Sequence, residues 1–285
     1  MARALIAGIA DGGIYGLLAF GLVLVYRDRR VVNLAQAEIG TSSVLAATLI
    51  GVGMWPWGAI ASVAIGTAIA IIFERVVVSR METSPRSSVT VATIGLSLLL
   101  IGIERKFLHG AASITAPIGG LGPKILGYYI APTRLIALGL VVALDLGLLV
   151  FTKRTRLGMA ATAASEDRIG AGIVGIPAAA ISAITWGVSG AIAAASSLLA
   201  APLFGLGPGS GTTFLVRGMA AAIIGGIDRP FGPLMGGLAV GVIDSVSGYL
   251  FVQKGFPGIS TVLLMMTIVI LSFTRARTMT EKAAA

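Results

Sequence analysis

Most of the side chains able to do chemistry in this chain lie inside or beside long apolar segments. Asn33, Gln36 and Glu38 stand together at the entrance to one such segment, within VVNLAQAEIG at residues 31–40. If this stretch is helical, Gln36 lies three residues after Asn33 and therefore on much the same face. Two interpretations stay open: ordinary interfacial capping, or a broken helix whose freed backbone groups and amides line a polar cavity.

Three aspartates interrupt other apolar segments. Asp11 precedes two glycines, so it either caps a helix beginning at Gly12 or places a polar group near the mouth of a pathway. Asp145 and Asp244 lie within apolar runs. A carboxylate in lipid is costly, so both should face protein or water. They either carry a proton or an ion, or serve as structural pairing and capping groups.

Hydroxyl groups punctuate the apolar segment at residues 89–107, which carries Thr90, Thr93 and Ser97. Such hydroxyls either bond back to their own helix or face a substrate.

Soluble enzyme chemistry finds no support in the sequence. There is no cysteine, and the single histidine, His109, has no second histidine or cysteine with which to share a metal. No P-loop, GxSxG, HExxH or CxxC motif occurs, and the stretch GGIDRPFGP is not a nucleotide motif. We therefore expect no catalytic residue, no metal and no cofactor, and a chain that cannot hydrolyse ATP by itself.

The composition is that of an integral membrane protein. Hydrophobic residues make up 56% of the chain and charged residues only 12%, which leaves too few charges to cover a soluble domain. Repeated apolar stretches of about 20 residues favour helices over a barrel. The net charge of +9 comes from basic residues between the apolar segments, so it indicates membrane orientation and not nucleic-acid binding.

The hydropathy pattern predicts an all-α membrane protein, a polytopic bundle of about 8 transmembrane helices plus a short or re-entrant segment. We treat residues 1–285 as a single transmembrane domain. The predicted segments are 4–26, 31–53, 58–78, 89–107, 132–151, 178–203, a short one at 212–227, 235–252 and 257–273. Two short segments around the break that starts at Gly225 and Gly226 are typical of discontinuous helices near a transport pathway.

One long polar stretch between apolar segments has the composition of a folded segment. It is residues 153–177, KRTRLGMAATAASEDRIGAGIVGIP. Small helix formers run from Gly158 to Val174, Gly175 offers a helix stop and Pro177 a helix start. We expect a short helix outside the hydrocarbon. Its face of Ala160, Ala161 and Ala164, with neighbouring charges, suits docking in a partner's groove.

The distribution of basic residues predicts an orientation. Alternating the segments with 153–177 in the cytoplasm leaves 14 basic residues inside and 7 outside, Arg217 among the latter. This bias places the N-terminus outside and the C-terminus in the cytoplasm.

Several stretches together resemble the permease subunits of ABC importers for branched-chain amino acids, the LivH type. The matching stretches are GGIYGLLAFGLVLVY at 12–26, VVNLAQAEIG at 31–40, ERVVVSR at 74–80, TIGLSLLL at 93–100, RTRLGMAATAASEDRIGAGIVGI at 154–176 and AAIIGGIDRPFGPLMGGLAVGVIDS at 221–245. They cover most of the chain in the family's order. The stretch at 31–40 departs from the family pattern, because Gln36-Ala37 replaces its His-Gly.

The resemblance implies the type II importer fold and a defined set of partners in a bacterial cytoplasmic membrane. These are a second, LivM-like permease subunit, two ABC ATPase subunits and an extracytoplasmic substrate-binding protein, with lipid around them and no nucleic acid. The cytoplasmic coupling segment would be 153–177, through Arg156, Gly158, Ala160, Ala161, Ala164, Glu166, Asp167, Arg168 and Gly175. The substrate pathway would include Asn33, Gln36, Glu38, Thr93, Ser97, Gly225, Gly226 and Asp244.

Branched-chain amino acids are the expected substrates by this resemblance. Urea or a short amide in the same importer class is one alternative. An ion-coupled secondary transporter that uses Asp145 and Asp244 is another.

Overall fold

The computed structural model describes residues 2–50, 56–81, 84–107, 122–125, 128–166, 168–227 and 231–251, together with residues 262, 265 and 266. Within this part of the chain the structure is almost wholly helical. The helices are α1 (Ala2–Arg29), α2 (Gln36–Leu49), α3 (Trp57–Phe73), α4 (Arg86–Phe107), α5 (Pro132–Arg154), α6 (Arg156–Glu166), α7 (Arg168–Ile173), α8 (Ala178–Phe204), α9 (Ser210–Gly225) and α10 (Gly232–Phe251). A π-helical turn, Glu74–Val78, and a 3₁₀ turn, Ser79–Met81, continue α3. Two antiparallel two-residue strands, β1 (Lys124–Ile125) and β2 (Tyr128–Tyr129), precede α5.

Six helical segments are long and apolar enough to cross a membrane. They are Ala4–Arg29, Trp57–Met81, Arg86–Phe107, Pro132–Phe151, Ala178–Phe204 and Gly232–Leu250. The prediction of an all-α polytopic membrane protein is confirmed. Two other predicted segments form helices that are shorter than these six. Helix α2 has 14 residues, and α9, which was predicted to be short, has 16. The predicted segment at 257–273 lies almost entirely outside the described residues.

Helix α1 is the centre of the bundle. Its most apolar window is 89% buried inside the chain, whereas the windows of α3, α4, α5 and α10 are between 18% and 33% buried. Helices α10, α8, α5 and α9 pack around α1, and α2 is enclosed by α3, α8 and α9. The peripheral helices therefore offer most of their apolar surface to lipid or to other subunits.

Glycines allow α1 and α10 to cross at close range. Gly8 and Gly12 of α1 lie against the backbone of Gly237 and Gly241 in α10. A Cβ atom at Gly12 would lie 2.7 Å from the Cα atom of Leu238. This spacing of small residues every fourth position is the packing expected of helices that approach within a membrane.

Helix α1 ends in a buried charged network. Arg30 adopts φ = 55° and ends the helix in the left-handed region. The Arg29 guanidinium donates to Glu74 Oε1 at 2.9 Å and to Ser182 Oγ at 2.9 Å, and Ser182 Oγ donates to Asp28 Oδ2 at 2.7 Å. The network joins the end of α1 to the end of α3 and the start of α8.

Candidate functional site

The two amide groups at the start of α2 are held by internal hydrogen bonds. Asn33 Nδ2 donates to Gln36 Oε1 at 3.0 Å, and Gln36 Nε2 donates to the Ser189 carbonyl oxygen at 2.9 Å. The Ser189 hydroxyl lies 2.8 Å from Gln36 Oε1 and 2.9 Å from the Gly21 carbonyl oxygen. Asn33 and Gln36 are both buried. In this conformation the two amides join α2 to α1 and α8.

Glu38 lies in the first turn of α2 and faces the start of α9. Thr41 Oγ1 donates to Glu38 Oε2 at 2.9 Å, and Thr212 Oγ1 donates to Glu38 Oε1 at 3.0 Å. A Cβ atom at Gly211 would lie 2.6 Å from Glu38 Cδ, so glycine there makes room for the carboxylate. Glu38 is buried.

A second buried carboxylate, Glu104 of α4, approaches the same site. Ser42 Oγ donates to Glu104 Oε1 at 2.6 Å, and the backbone N–H of Gly209 donates to Glu104 Oε2 at 3.0 Å. Thr41 Oγ1 lies 3.4 Å from Glu104 Oε1, so one hydroxyl bridges the two glutamates. The described residues place no basic side chain in an ion pair with either. The two acids thus form a polar junction between α2, α4 and α9.

A third polar group joins α1, α9 and α10. Arg217 Nε donates to Asp244 Oδ2 at 2.9 Å, and Tyr15 Oη donates to the same oxygen at 2.9 Å. The Arg217 guanidinium carbon also lies 5.8 Å from the centre of the Tyr15 ring. Arg217, which the charge count placed outside, is instead in the middle of α9, because its charge is balanced by Asp244.

The other two membrane aspartates have structural partners. Asp145 Oδ2 accepts from the backbone N–H of Leu234 at 3.3 Å, so α5 caps the first turn of α10 and the capping interpretation is confirmed. Asp11 pairs with Arg134 of α5 at 2.6 Å between Oδ1 and Nε. The expectation that Asp11 caps a helix beginning at Gly12 is wrong, because α1 runs unbroken through both residues.

The remaining predicted pathway residues lie in two places. Thr93 is buried, and its hydroxyl accepts from the Leu34 N–H at 3.1 Å and donates to the Thr90 carbonyl oxygen at 2.6 Å. Ser97 is half-buried one turn further along α4. Gly225 ends α9, and Gly226 has φ = 88°, which only glycine adopts readily. The predicted break between α9 and α10 is confirmed.

In the stretch 153–177, where a helix was predicted, the described residues after α5 are helical on both sides of Asp167, as α6 and α7. Thr155 separates α5 from α6, and its hydroxyl accepts from the Gly158 N–H at 2.9 Å. Gly175, with φ = 82°, follows α7, and Pro177 precedes α8, as predicted. Asp167 lies outside the described residues, and Arg168 begins α7.

The alanine face of α6 packs against its own chain. Ala164 is 1% exposed and packs with Ala171 and Ile181, and Ala160 and Ala161 pack against the same cluster. The exposed apolar surface of this segment lies elsewhere: Met159, Ile173 and Val174 are 54%, 82% and 74% exposed. Arg156 and Glu166 are also exposed, whereas Gly158 is buried.

A polar cavity of about 450 Å³ separates α6 from the end of α1. Arg27 and Asp28 line it from α1, Thr162 and Glu166 from α6, and Thr185 from α8. The cavity adjoins the buried Arg29 network, so α6 lies directly beside the charged end of the central helix. No group of three or more potential metal ligands occurs in the described part of the chain.

Comparison with protein families identifies the chain. The family model for the permease component of branched-chain amino acid transport systems matches residues 4–272. The chain belongs to this permease family. It is therefore a membrane transport subunit and not an enzyme, as the sequence predicted.

Individual relatives match this permease along most of their length. The high-affinity branched-chain amino acid transport system permease protein LivH of Salmonella typhimurium is 27% identical, and the match covers 93% of this chain and 91% of that protein. The corresponding permease protein BraD of Pseudomonas aeruginosa is 26% identical, with coverage of 87% and 86%.

A solved structure shares the fold of the permease. A chain of PsaBC from Streptococcus pneumoniae in complex with Fab superposes with a TM-score of 0.51 at 17% identity, covering 95% of this chain and 90% of that one. The likeness concerns the arrangement of the helices.

Two residues of the polar sites in the permease went unnoticed in the sequence, and a third was assigned a different role. Glu104 was hidden among the charges at the end of its segment, although an acid three residues before the end of an apolar helix is a usable signal. Tyr15 looked like an ordinary apolar-segment aromatic. Arg217 was counted as an orientation charge, although a lone arginine inside a 16-residue apolar helix already indicates a buried partner.

Proposed function

We propose that the chain is the membrane-spanning subunit of an ATP-driven importer that moves branched-chain amino acids across a bacterial cytoplasmic membrane. In this proposal it is a single permease domain that pairs with a second, LivM-like permease. Two ABC ATPases drive the pair, and an extracytoplasmic binding protein delivers the substrate. The N-terminus is outside, and 153–177 and the C-terminus are in the cytoplasm.

The observation that carries the proposal is the construction of the α6–α7 segment. One side of the segment is anchored on α8 through Ala164, Ala171 and Ile181. The opposite side leaves Ile173 and Val174 largely exposed on a segment too short and polar to cross a membrane. Exposed apolar residues on an anchored support are typical of a docking surface. The coupling surface is thus Met159, Ile173 and Val174, with Arg156 and Glu166 as its polar rim. Asp167 and Arg168 remain coupling residues predicted from the sequence.

The same segment has a direct mechanical connection to the core. It packs on α8 and flanks the cavity at the end of α1, and α1 and α8 are joined by Arg29 and Ser182 at 2.9 Å. Movement of the ATPases would therefore shift α6, α7, the start of α8 and the end of α1 as one body. Rigid-body rocking of this kind opens a pathway alternately to the two sides.

The pathway in this proposal runs beside α2, α9 and α10, where the polar groups of the membrane region concentrate. It includes Glu38 and Asp244 and the Gly225–Gly226 break. Asn33, Gln36 and Thr93 fix the start of α2 beside it, and Ser97 lies on α4 nearby. The two short helices, α2 and α9, meet at Glu38 and Thr212, which supports the proposal because short, broken helices commonly form transport sites.

Reconstitution of the complete importer in vesicles tests the proposal. Labelled leucine should accumulate only with ATP and the binding protein, and an uncoupler should not abolish the uptake. Uptake of urea but not leucine would reject the substrate. Uptake without ATP that collapses with an uncoupler would reject the importer class.

The coupling surface has its own variant and control. Ile173→Asp should lower ATP-driven leucine uptake by about tenfold or more, because it places a charge at the centre of an apolar contact. Ile173→Leu keeps the apolar surface and should transport within about twofold of the natural chain. Equal uptake by both variants would reject this docking surface while leaving the substrate assignment intact.

A further inference from the structure

The Arg217–Asp244–Tyr15 group lies close to the middle of the bundle. Tyr15 is near the midpoint of the 28-residue α1, and Arg217 is near the midpoint of the 16-residue α9. The group joins three helices, α1, α9 and α10. Burying a charged pair at this depth costs free energy, so such pairs in membrane proteins commonly have a function. Transport sites of membrane proteins are commonly found at this depth.

The pair is incompletely saturated. Asp244 Oδ2 accepts from both Tyr15 and Arg217, but Oδ1 has one long contact, 3.4 Å from Arg217 Nη2. Arg217 has five donor hydrogens, and its contacts are those with Asp244 and with the Thr213 carbonyl oxygen at 3.2 Å. One carboxylate oxygen and part of the guanidinium therefore remain available to a ligand without rupture of the pair.

The surface beside the pair is aromatic and open. The Phe204 ring stacks on Tyr15 with centroids 6.3 Å apart and meets Phe214 edge-on at 5.7 Å. Phe204 is 42% exposed, and the side chains of Arg217 and Asp244 are each 17% exposed. An exposed aromatic ring and a partly exposed ion pair thus both contact Tyr15.

Lipid cannot be what this surface faces. A partly open ion pair against hydrocarbon would lose its hydration without gaining partners, which is strongly unfavourable. The exposed edge of the Arg217–Asp244 pair must therefore face water or another subunit. In a permease, a water-filled opening at this depth is part of the transport route.

We propose that Arg217, Asp244 and Phe204 form a binding subsite for a zwitterionic α-amino acid with an apolar side chain. The substrate carboxylate binds the Arg217 guanidinium, its ammonium group binds Asp244, and its side chain packs on Phe204. Tyr15 is a positioning residue that holds Asp244. The inference rests on the proposed function and deepens it, because urea and short amides carry neither of the two charges that this pair recognises.

A pair of neutral double variants tests the subsite in the complete importer. Arg217→Gln with Asp244→Asn keeps size and hydrogen bonding, removes both charges and leaves no charge unpaired. The matched control is Arg134→Gln with Asp11→Asn, which neutralises a different ion pair of α1, the one with α5. The measurements are leucine uptake, the ATPase rate stimulated by the binding protein, and the thermal midpoint of the purified complex.

If the subsite binds substrate, the double variant should change leucine uptake but not the thermal midpoint. The Arg217/Asp244 double variant should keep its thermal midpoint and should lose leucine uptake by about 10- to 100-fold, the effect of one or two charged hydrogen bonds. The control should transport normally. Normal uptake by the Arg217/Asp244 double variant would overturn the inference and show that this ion pair only stabilises the bundle. If the natural complex imports urea and not leucine, the proposed function fails first.

Phe204 supplies a test that does not depend on the charged pair. Phe204→Ala should lower uptake of leucine more than uptake of valine, changing their ratio by about threefold, because one methylene group loses its contact. The control is Phe107→Ala at the end of α4, where the ring is 57% exposed. An unchanged leucine-to-valine ratio in Phe204→Ala would remove Phe204 from the subsite. An equal change in Phe107→Ala would do the same.

Discussion

Substitution of Gly12 by alanine tests the close packing of α1 on α10. The new Cβ atom would lie 2.7 Å from the Cα atom of Leu238 and 2.8 Å from the carbonyl oxygen of Gly237. Carbon atoms in contact prefer about 3.5–4 Å, so the helices would have to separate by about 1 Å. Backbone atoms cannot rotate away, and overpacking of this kind costs about 1–3 kcal/mol.

The helix propensity of alanine offsets part of that cost. Alanine is better than glycine inside a helix by about 1 kcal/mol, so Gly12→Ala should lower the free energy of unfolding by about 0–2 kcal/mol. Gly139 of α5 is the matched control, because a Cβ atom there meets no atom within 4 Å. Gly139→Ala should raise the free energy of unfolding by about 0.5–1 kcal/mol.

Denaturant unfolding of the two variants in detergent, followed by tryptophan fluorescence, measures the difference. We expect the free energy of unfolding of Gly139→Ala to exceed that of Gly12→Ala by about 0.5–3 kcal/mol. Equal stability of the two variants would mean that α1 and α10 do not touch at Gly12, and the packing around the central helix would have to be revised.

Substitutions at three further buried polar groups, those of Glu104, Asp145 and Arg29, test these groups through the thermal midpoint of the purified complex. Glu104→Gln should be tolerated within about 1 kcal/mol, because it keeps an acceptor and removes one of two facing acids. Glu104→Leu should cost about 2 kcal/mol or more, because it leaves the donors to Glu104 unpaired. Equal thermal midpoints of the two variants would contradict this. Asp145→Ala should cost about 1 kcal/mol by uncapping Leu234, and Asp145→Asn should recover most of it; no recovery would reject the cap. Arg29→Gln should cost about 3–5 kcal/mol, and adding Glu74→Gln should restore part of the loss; a further loss in the double variant would reject the pairing.

Helix positions followed directly from the sequence where apolar length decided them. The segment predicted at 178–203 is α8, Ala178–Phe204, and the one at 132–151 extends only three residues further in α5. The segment predicted at 31–53 was too long at its start. Its first residues bond to Gln36 and to Thr93 of α4 in place of helical turns, and hydropathy does not register such bonds.

The polar sites were predictable one residue at a time but not as groups. Asp244 was recognised as a candidate because a carboxylate inside an apolar run is costly. Its partners Arg217 and Tyr15 lie 27 and 229 positions away in the chain, and no periodicity relates them. The alanine face of α6 looked like a docking surface because small residues suit both partner grooves and internal packing, and only the position of α8 decides between these uses.

Site-directed cross-linking at Ile173 tests most directly whether force from a motor subunit reaches the membrane helices through α6 and α7. The chain contains no cysteine, so Ile173→Cys introduces a single reactive thiol. Ile60→Cys is the control, because Ile60 is similarly apolar and exposed near the start of α3, roughly 20 Å along the helix from Glu74. In the assembled importer we predict a cross-link from position 173 to the ATPase subunit and none from position 60. A thiol at position 173 that reacts only with reagents applied from outside the cell, or that never reaches the ATPase, would contradict this account.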